Sequence, residues 1–196
     1  MGFIFSKEPH ENFLELLKAA EEARVPEPTA MALATQGVKG PDVRIVLFKG
    51  FVRGGLSFYT NYSSQKAQDL ENNPQAAVSF FWPSLAQQIR IFGVVEKLTR
   101  EESEVYFRTR PRLSQLGAWA SKQSRRVASI EELNRRLEEV TARFAGAEVP
   151  CPPYWGGYRL EPDKYEFWFG REGRLHERYC YQRVPGGGWE RFMKMP

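Results

Sequence analysis

Glu166-Phe167-Trp168-Phe169-Gly170-Arg171-Glu172-Gly173-Arg174-Leu175-His176-Glu177-Arg178 is the run of this 196-residue sequence in which chemistry-bearing side chains crowd most closely. It links two expected strands, 164–169 and 176–183. In extended backbone, side chains at i, i+2 and i+4 share one face. That spacing puts Arg174, His176 and Arg178 in one row, with Trp168 on the strand before. Two fixed positive charges around an imidazole suit an anionic, planar ligand. A solvated strand face carrying ordinary charges has the same spacing, so spacing alone leaves both readings open.

Upstream, the apolar positions Phe13, Leu16, Leu17 and Ala20 form a helical stripe over roughly 9–24, ended by Pro26 and Pro28. Strands are expected at 30–35, 43–49 (buried on both sides in its middle), 56–60, 76–82 and 88–98. Ser64 can cap a short helix running to about Asn72. Thr99-Arg100-Glu101-Glu102 and Ser129-Ile130-Glu131-Glu132 read as capping boxes for helices ending near Thr109 and Phe144, with a shorter helix at 112–120 between them. Later strands are expected at 157–161, 164–169, 176–183 and 188–193, the last closing a barrel, with Gly186-Gly187-Gly188 as a hairpin turn. Strands separated by single helices, without a βαβ rhythm, predict an α+β fold: a mostly antiparallel barrel with helices packed outside it. The whole chain, 1–196, reads as one domain, with 1–27 as an N-terminal helical region.

Composition excludes several classes. Net charge is +4, from 28 basic and 24 acidic residues. So small and dispersed an excess points no more to nucleic acid than to small anions, and no nucleic-acid motif is present. Two cysteines and two histidines make a dedicated metal site unlikely on arithmetic alone, so none is expected. No apolar run reaches membrane-spanning length, and no signal-peptide pattern opens the chain, which predicts a soluble, cytoplasmic protein. Aromatic residues are 14% of the chain, ample ring surface for a core or for stacking on a ligand.

Individual positions keep two readings each. Arg44 is a strand-end solvent residue or an anion grip. Ser64-Gln65-Lys66 is simple capping, or a helix N-terminus with a lysine in its first turn that holds phosphate. Tyr106 and Arg110, spaced i, i+4, can face one ligand from one helix. Trp168 is a core tryptophan or a stacking wall.

Several motifs in order tip these alternatives. Arg44-Ile45-Val46-Leu47-Phe48-Lys49, Phe58-Tyr59-Thr60-Asn61, Glu71-Asn72-Asn73-Pro74, Tyr106-Phe107, Arg110-Pro111-Arg112, Ser114-Gln115-Leu116-Gly117-Ala118-Trp119, Ser121-Lys122-Gln123-Ser124 and Tyr154-Trp155-Gly156-Gly157-Tyr158-Arg159 precede the C-terminal run. Together, from about Pro28 to Arg183, they resemble the pyridoxamine/pyridoxine 5′-phosphate oxidases, FMN-dependent enzymes of the split β-barrel fold. The resemblance implies FMN held by Arg44, Ile45, Val46, Leu47, Lys49, Tyr59, Thr60, Gln65, Lys66, Gln88, Gln123, Ser124, Trp168 and Arg178. The segment carrying Gln123 and Ser124 would reach the flavin across the interface of a homodimer. Substrate phosphate would meet Lys49, Tyr106, Arg110 and Ser114. Arg174 and His176 would contact the pyridine and its reacting side as the catalytic pair.

The implied reaction oxidises the 4′-carbon of pyridoxine or pyridoxamine 5′-phosphate to the aldehyde, pyridoxal 5′-phosphate. A hydride would pass to flavin N5, and oxygen would be reduced to hydrogen peroxide. Alternatives are a related flavin oxidase of the phenazine-pathway type, or a flavin-binding module without turnover. Two departures stand out. Gln65 replaces the arginine usual in a Ser-Arg-Lys motif, and losing one charge-assisted contact costs on the order of 1–2 kcal/mol. The segment 1–8 is also short for the basic, tyrosine-containing arm that relatives carry.

Overall fold

The computed structural model describes residues 3–196; Met1 and Gly2, at the start of the segment read as too short for an arm, lie outside the described residues. Helix α1 (Pro9–Glu22) buries the expected stripe of Phe13, Leu16, Leu17 and Ala20. Strands β1 (Ala30–Gly37) and β2 (Gly40–Leu47) form a hairpin, followed by β3 (Phe51–Val52) and β4 (Gly55–Asn61). Helix α2 (Gln65–Asn72) leads into β5 (Gln75–Trp82) and β6 (Gln87–Lys97). Helices α3 (Arg100–Thr109), α4 (Arg112–Ala120) and α5 (Ile130–Arg143) come next, then β7 (Trp155–Phe169), β8 (Glu177–Arg183) and β9 (Trp189–Met193).

The nine strands form one antiparallel sheet in the order β2-β1-β5-β6-β7-β4-β3, with β8 and β9 branching from β7. The branch is what splits the barrel. One edge of β7 pairs with β4 over residues 155–160 and with β8 over residues 164–169. The two segments expected at 157–161 and 164–169 are therefore one 15-residue strand. Between them the register slips opposite Phe92 and Gly93. Gly93 is required there, since a Cβ would stand 1.9 Å from the Glu161 carbonyl oxygen. Strand β9 pairs only with β8, so it extends the branch and does not close a barrel as expected.

The core lies between α1 and the inner sheet face, with Met31, Leu33, Phe58, Phe80, Ile91, Leu160 and Phe167 fully enclosed. Phe13 packs edge-on against Phe48, their centroids 5.2 Å apart. Phe3 and Phe5 join the aromatic cluster of Phe167, Tyr179 and Tyr181. A smaller cluster under α3–α5 contains Phe107, Leu116, Phe144 and Trp155.

Three local expectations change. Strand β2 is not buried in its middle: Val43 and Ile45 are 63% and 65% exposed, because β2 is an edge strand with only β1 beside it. Ser64 precedes α2 without a side-chain cap; its Oγ lies 3.4 Å from Lys66 Nζ instead. Thr99 and Glu102 form the full reciprocal box, but Glu132 turns to the Ala128 N–H, so only the Ser129 half of the second box is made.

Candidate functional site

The open edge of β2 faces β4 and α3 across a cleft of about 710 Å3. Its walls carry Arg44, Ile45, Val46, Leu47, Lys49, Tyr59, Thr60, Lys66, Tyr106, Arg110, Ser114 and Gln123 of the expected set, with Trp155 added. Four cationic residues and no carboxylate line it. Since β2 pairs on one side only, main-chain groups of 45–47 remain available on the other, a fit for a planar ligand with polar atoms along one edge.

Lys66, in the first turn of α2, is buried, and its Nζ donates to Thr60 Oγ1 at 3.1 Å and Gln123 Oε1 at 3.2 Å. Burial, then the nearby Arg44 charge, pushes its ammonium below the ordinary lysine range. A bound anion would relieve both effects. Gln123 thus meets Thr60 and Lys66 of its own chain, where the sequence placed its segment across an interface. Arg44 is braced by Thr35 Oγ1 at 2.7 Å and the Leu33 carbonyl at 3.2 Å, with Asp69 Oδ2 at 3.7 Å. The Gln65 side chain donates to Asp69 Oδ1 at 2.9 Å, and its backbone N–H donates to Ser124 Oγ at 3.3 Å. The Gln65 amide is thereby engaged with an acid.

The other wall is aromatic. Tyr59 stacks on Tyr106 at 3.8 Å and on Trp155 at 5.5 Å. Burial, reinforced by Tyr106, raises the Tyr59 phenol to about 12, so it stays a hydrogen-bond donor. Arg110, directly after α3, lays its guanidinium over Trp155 at 4.6 Å. Its Nη1 is buried without a hydrogen-bond partner, the one such atom among the described residues that belongs to a residue lining the cleft. Burial lowers its pKa. An unpartnered buried guanidinium nitrogen beside a serine and a lysine fits a phosphate group.

The remaining expected residues are elsewhere. Gln88, Trp168 and Arg178 stand opposite one another on β6, β7 and β8. Trp168 is thirteen residues beyond Trp155 on the same strand, roughly 40 Å of extended chain. Arg174 and His176 do not share a strand face with Arg178. Arg174 ends a short 3-10 turn at Glu172–Arg174, and His176 precedes β8. Gly173 and Arg174 both have left-handed backbone (φ +64° and +62°), which breaks the alternation where the chain must reverse. His176 packs against Trp168, ring centroids 4.7 Å apart and tilted by 43°, and accepts the Arg171 N–H on Nδ1 at 3.1 Å. None of these five residues lines the cleft, and neither do the expected Gln65 and Ser124. Sequence reasoning missed Trp155 as a cleft wall, although its Tyr-Trp-Gly-Gly motif was visible.

Among the described residues no group of acidic, histidine and cysteine side chains could hold a metal ion, and no helix is long and apolar enough to cross a membrane.

Comparison with known proteins bears on both regions. The family model described as pyridoxamine 5′-phosphate oxidase matches residues 17–144, and that of the pyridoxine 5′-phosphate oxidase C-terminal dimerisation region matches 155–196. A pyridoxine/pyridoxamine 5′-phosphate oxidase of Bdellovibrio bacteriovorus is 49% identical over 195 residues, covering 99% of this chain and 100% of that protein. One from Chromobacterium violaceum is 51% identical, covering 92% and 84%. Among solved structures, PhzG of Burkholderia lata, in complex with tetrahydrophenazine-1-carboxylic acid, superposes with a TM-score of 0.90 at 33% identity, covering 96% and 93%. A pyridoxamine 5′-phosphate oxidase-related, FMN-binding protein of Nostoc punctiforme shares the fold, with a TM-score of 0.78 at 17% identity and coverage of 98% and 100%.

Proposed function

The chain belongs to the pyridoxamine 5′-phosphate oxidase family, and from that premise we propose that it oxidises pyridoxine or pyridoxamine 5′-phosphate to pyridoxal 5′-phosphate with FMN as cofactor and oxygen as acceptor. The observation that carries the reading is the cleft with four cations, no lining carboxylate and the unpartnered Arg110 Nη1. One phosphate ester does not need two grips; a cofactor phosphate and a substrate phosphate do. Lys66, Thr60 and Gln123, with Arg44 beside them, form the cofactor grip. Lys49, Tyr106, Arg110 and Ser114 form the substrate grip. FMN supplies the two-electron chemistry when bound. The protein's share is placement: the open β2 edge would offer its main-chain groups to the ring rim, and the Tyr59–Tyr106–Trp155 stack would keep that wall dry.

The active protein is a symmetric homodimer with its sites at the interface. Val43, Ile45, Leu47 and Phe81 lie exposed in register on one sheet face, with Ala30, Ala32, Ala34 and Ser79 between them. Such a face of large apolar rims and small centres suits a second copy of the chain. The partner's far end then supplies the Trp168, Arg174, His176 and Arg178 that a single cleft lacks. There Arg174 and His176 orient the pyridine ring. The Arg171 N–H on Nδ1 leaves the His176 Nε2 edge for the substrate.

The test is aerobic turnover of pyridoxine 5′-phosphate with added FMN, following the aldehyde. Turnover that needs both FMN and the 5′-phosphate supports the reading. Binding of FMN without oxidation of either the alcohol or the amine overturns it. The 0.90 superposition with PhzG favours one second reading, an unphosphorylated tricyclic substrate. That reading requires turnover of a substrate that carries no 5′-phosphate.

A further inference from the structure

Behind the Gln88–Trp168–Arg178 row lies a second row, Arg90–Glu166–Cys180, one step along the same three strands. Its centre is a carboxylate only 2% exposed. Glu166 Oε1 accepts from Arg178 Nε at 3.2 Å and from Arg178 Nη2 at 2.9 Å, with Arg90 Nη1 at 3.5 Å. Its second oxygen, Oε2, lies 3.7 Å from Lys194 Nζ. Burial pushes the carboxyl up, but the Arg178 hydrogen bonds and the Arg178, Arg90 and Lys194 charges together outweigh it, so Glu166 titrates below its ordinary range.

We infer that Glu166 is a positioning residue for the cofactor site: it fixes the Arg178 guanidinium so that its two uncommitted N–H bonds are presented to the flavin. The inference rests on the assignment of Arg178 to FMN proposed above. Donor arithmetic supports it. A guanidinium has five N–H bonds. Nε and one on Nη2 go to Glu166, and one on Nη1 goes to the Met195 carbonyl at 3.0 Å. One remains on each terminal nitrogen. The Lys194 N–H returns to the Arg178 carbonyl at 3.0 Å, so side chain and backbone are clamped together. A rotamer this constrained loses little freedom on meeting a ligand. Glu166 offsets one of the three cationic charges around it and fixes the direction of the Arg178 guanidinium, while the cluster stays net positive.

The experiment is titration of apo-protein with FMN, read by quenching of flavin fluorescence and by the bound-flavin absorbance band, for the wild type and for Glu166→Asp, Glu166→Gln, Arg178→Lys and Glu166→Gln with Arg178→Lys. Glu166→Asp keeps the negative charge but shortens the reach, so the carboxylate no longer aligns the Arg178 guanidinium. It is expected to raise the FMN Kd about tenfold and to shift the absorbance band, with the melting temperature nearly unchanged. In the double variant the loss should not exceed that of Arg178→Lys alone, because Glu166 acts through Arg178. Wild-type affinity and spectrum in Glu166→Asp, or losses that add in full, overturn the inference. A wild type that binds no FMN instead overturns the reading beneath it. Should Glu166→Gln fail to fold, Glu166→Asp decides.

Discussion

The two ends of β7 handle positive charge in opposite ways. At the Trp155 end, Arg44 pairs with Asp42 at 2.5 Å, but Lys49, Lys66 and Arg110 have no carboxylate within ion-pair distance among the described residues. At the Trp168 end, Arg90, Arg178 and Lys194 converge on Glu166. Leaving the buried Lys66 and the half-buried Arg110 uncompensated is costly unless something else arrives to neutralise them. The first end is therefore built to receive anionic charge. The second has one carboxylate among three cations, which leaves it net positive but adds direction, through fixed N–H bonds.

The contrast is most exposed to Arg110→Met. If that end awaits a phosphate, KM for pyridoxine 5′-phosphate rises about a hundredfold, since two charge-assisted contacts are worth roughly 3 kcal/mol, while FMN binding holds. An unchanged KM in steady-state kinetics would remove Arg110 from the substrate grip. Whether the two ends meet only across subunits is answered by mixing. Assayed well below the raised KM, Arg110→Met and Arg174→Ala are each nearly inactive, the first through KM and the second through kcat. Unfolded together and refolded, they should regain about a quarter of wild-type activity, because half the dimers pair unlike chains and one site in each is intact. No recovery would place both ends in one subunit's site.

A smaller effect is expected from Gln65→Arg. Asp69 competes for the new guanidinium, so FMN affinity should tighten only severalfold, short of the full charge-assisted gain. A loosening, measured by the same flavin titration, would show that the Gln65–Asp69 hydrogen bond itself shapes the grip. Least of all is the acid response of the other end. Glu166 has a folded-state pKa below its ordinary 4.5, so its contribution is full above about pH 5 and is lost as pH falls through the lowered value. The melting temperature of the wild type should therefore drop more steeply between about pH 5 and pH 3 than that of Glu166→Gln. Parallel curves would mean that Glu166 has no net part in folding.

What could be read from the sequence was local. The α1 stripe and the Thr99–Glu102 box need only residues a few positions apart, and both are present. Tyr106 and Arg110 share the cleft because one helix carries the first and ends just before the second. The strand reading of Arg174, His176 and Arg178 failed for an equally local reason, the left-handed pair at 173–174, which period-two counting ignores. The apolar run in β2 looked like a core strand since Val43, Ile45 and Leu47 are the residues a core would choose; nothing in the run says that β2 lies at the sheet edge with that face open. Glu166 escaped notice because its three cations come from β6, β8 and the C-terminal segment, far apart in sequence. The family resemblance supplied what pattern could not, the pairing of distant motifs into one site.

The open edge of β2 also bears on how the protein comes to life in a cell. Newly made chains carry unpaired main-chain groups beside exposed Val43 and Ile45, the kind of edge that recruits stray strands. Where a second copy and FMN both cover β2, as proposed above, loss of either would leave this edge open, and FMN shortage would then be felt first as lost folded protein and only later as lost catalysis.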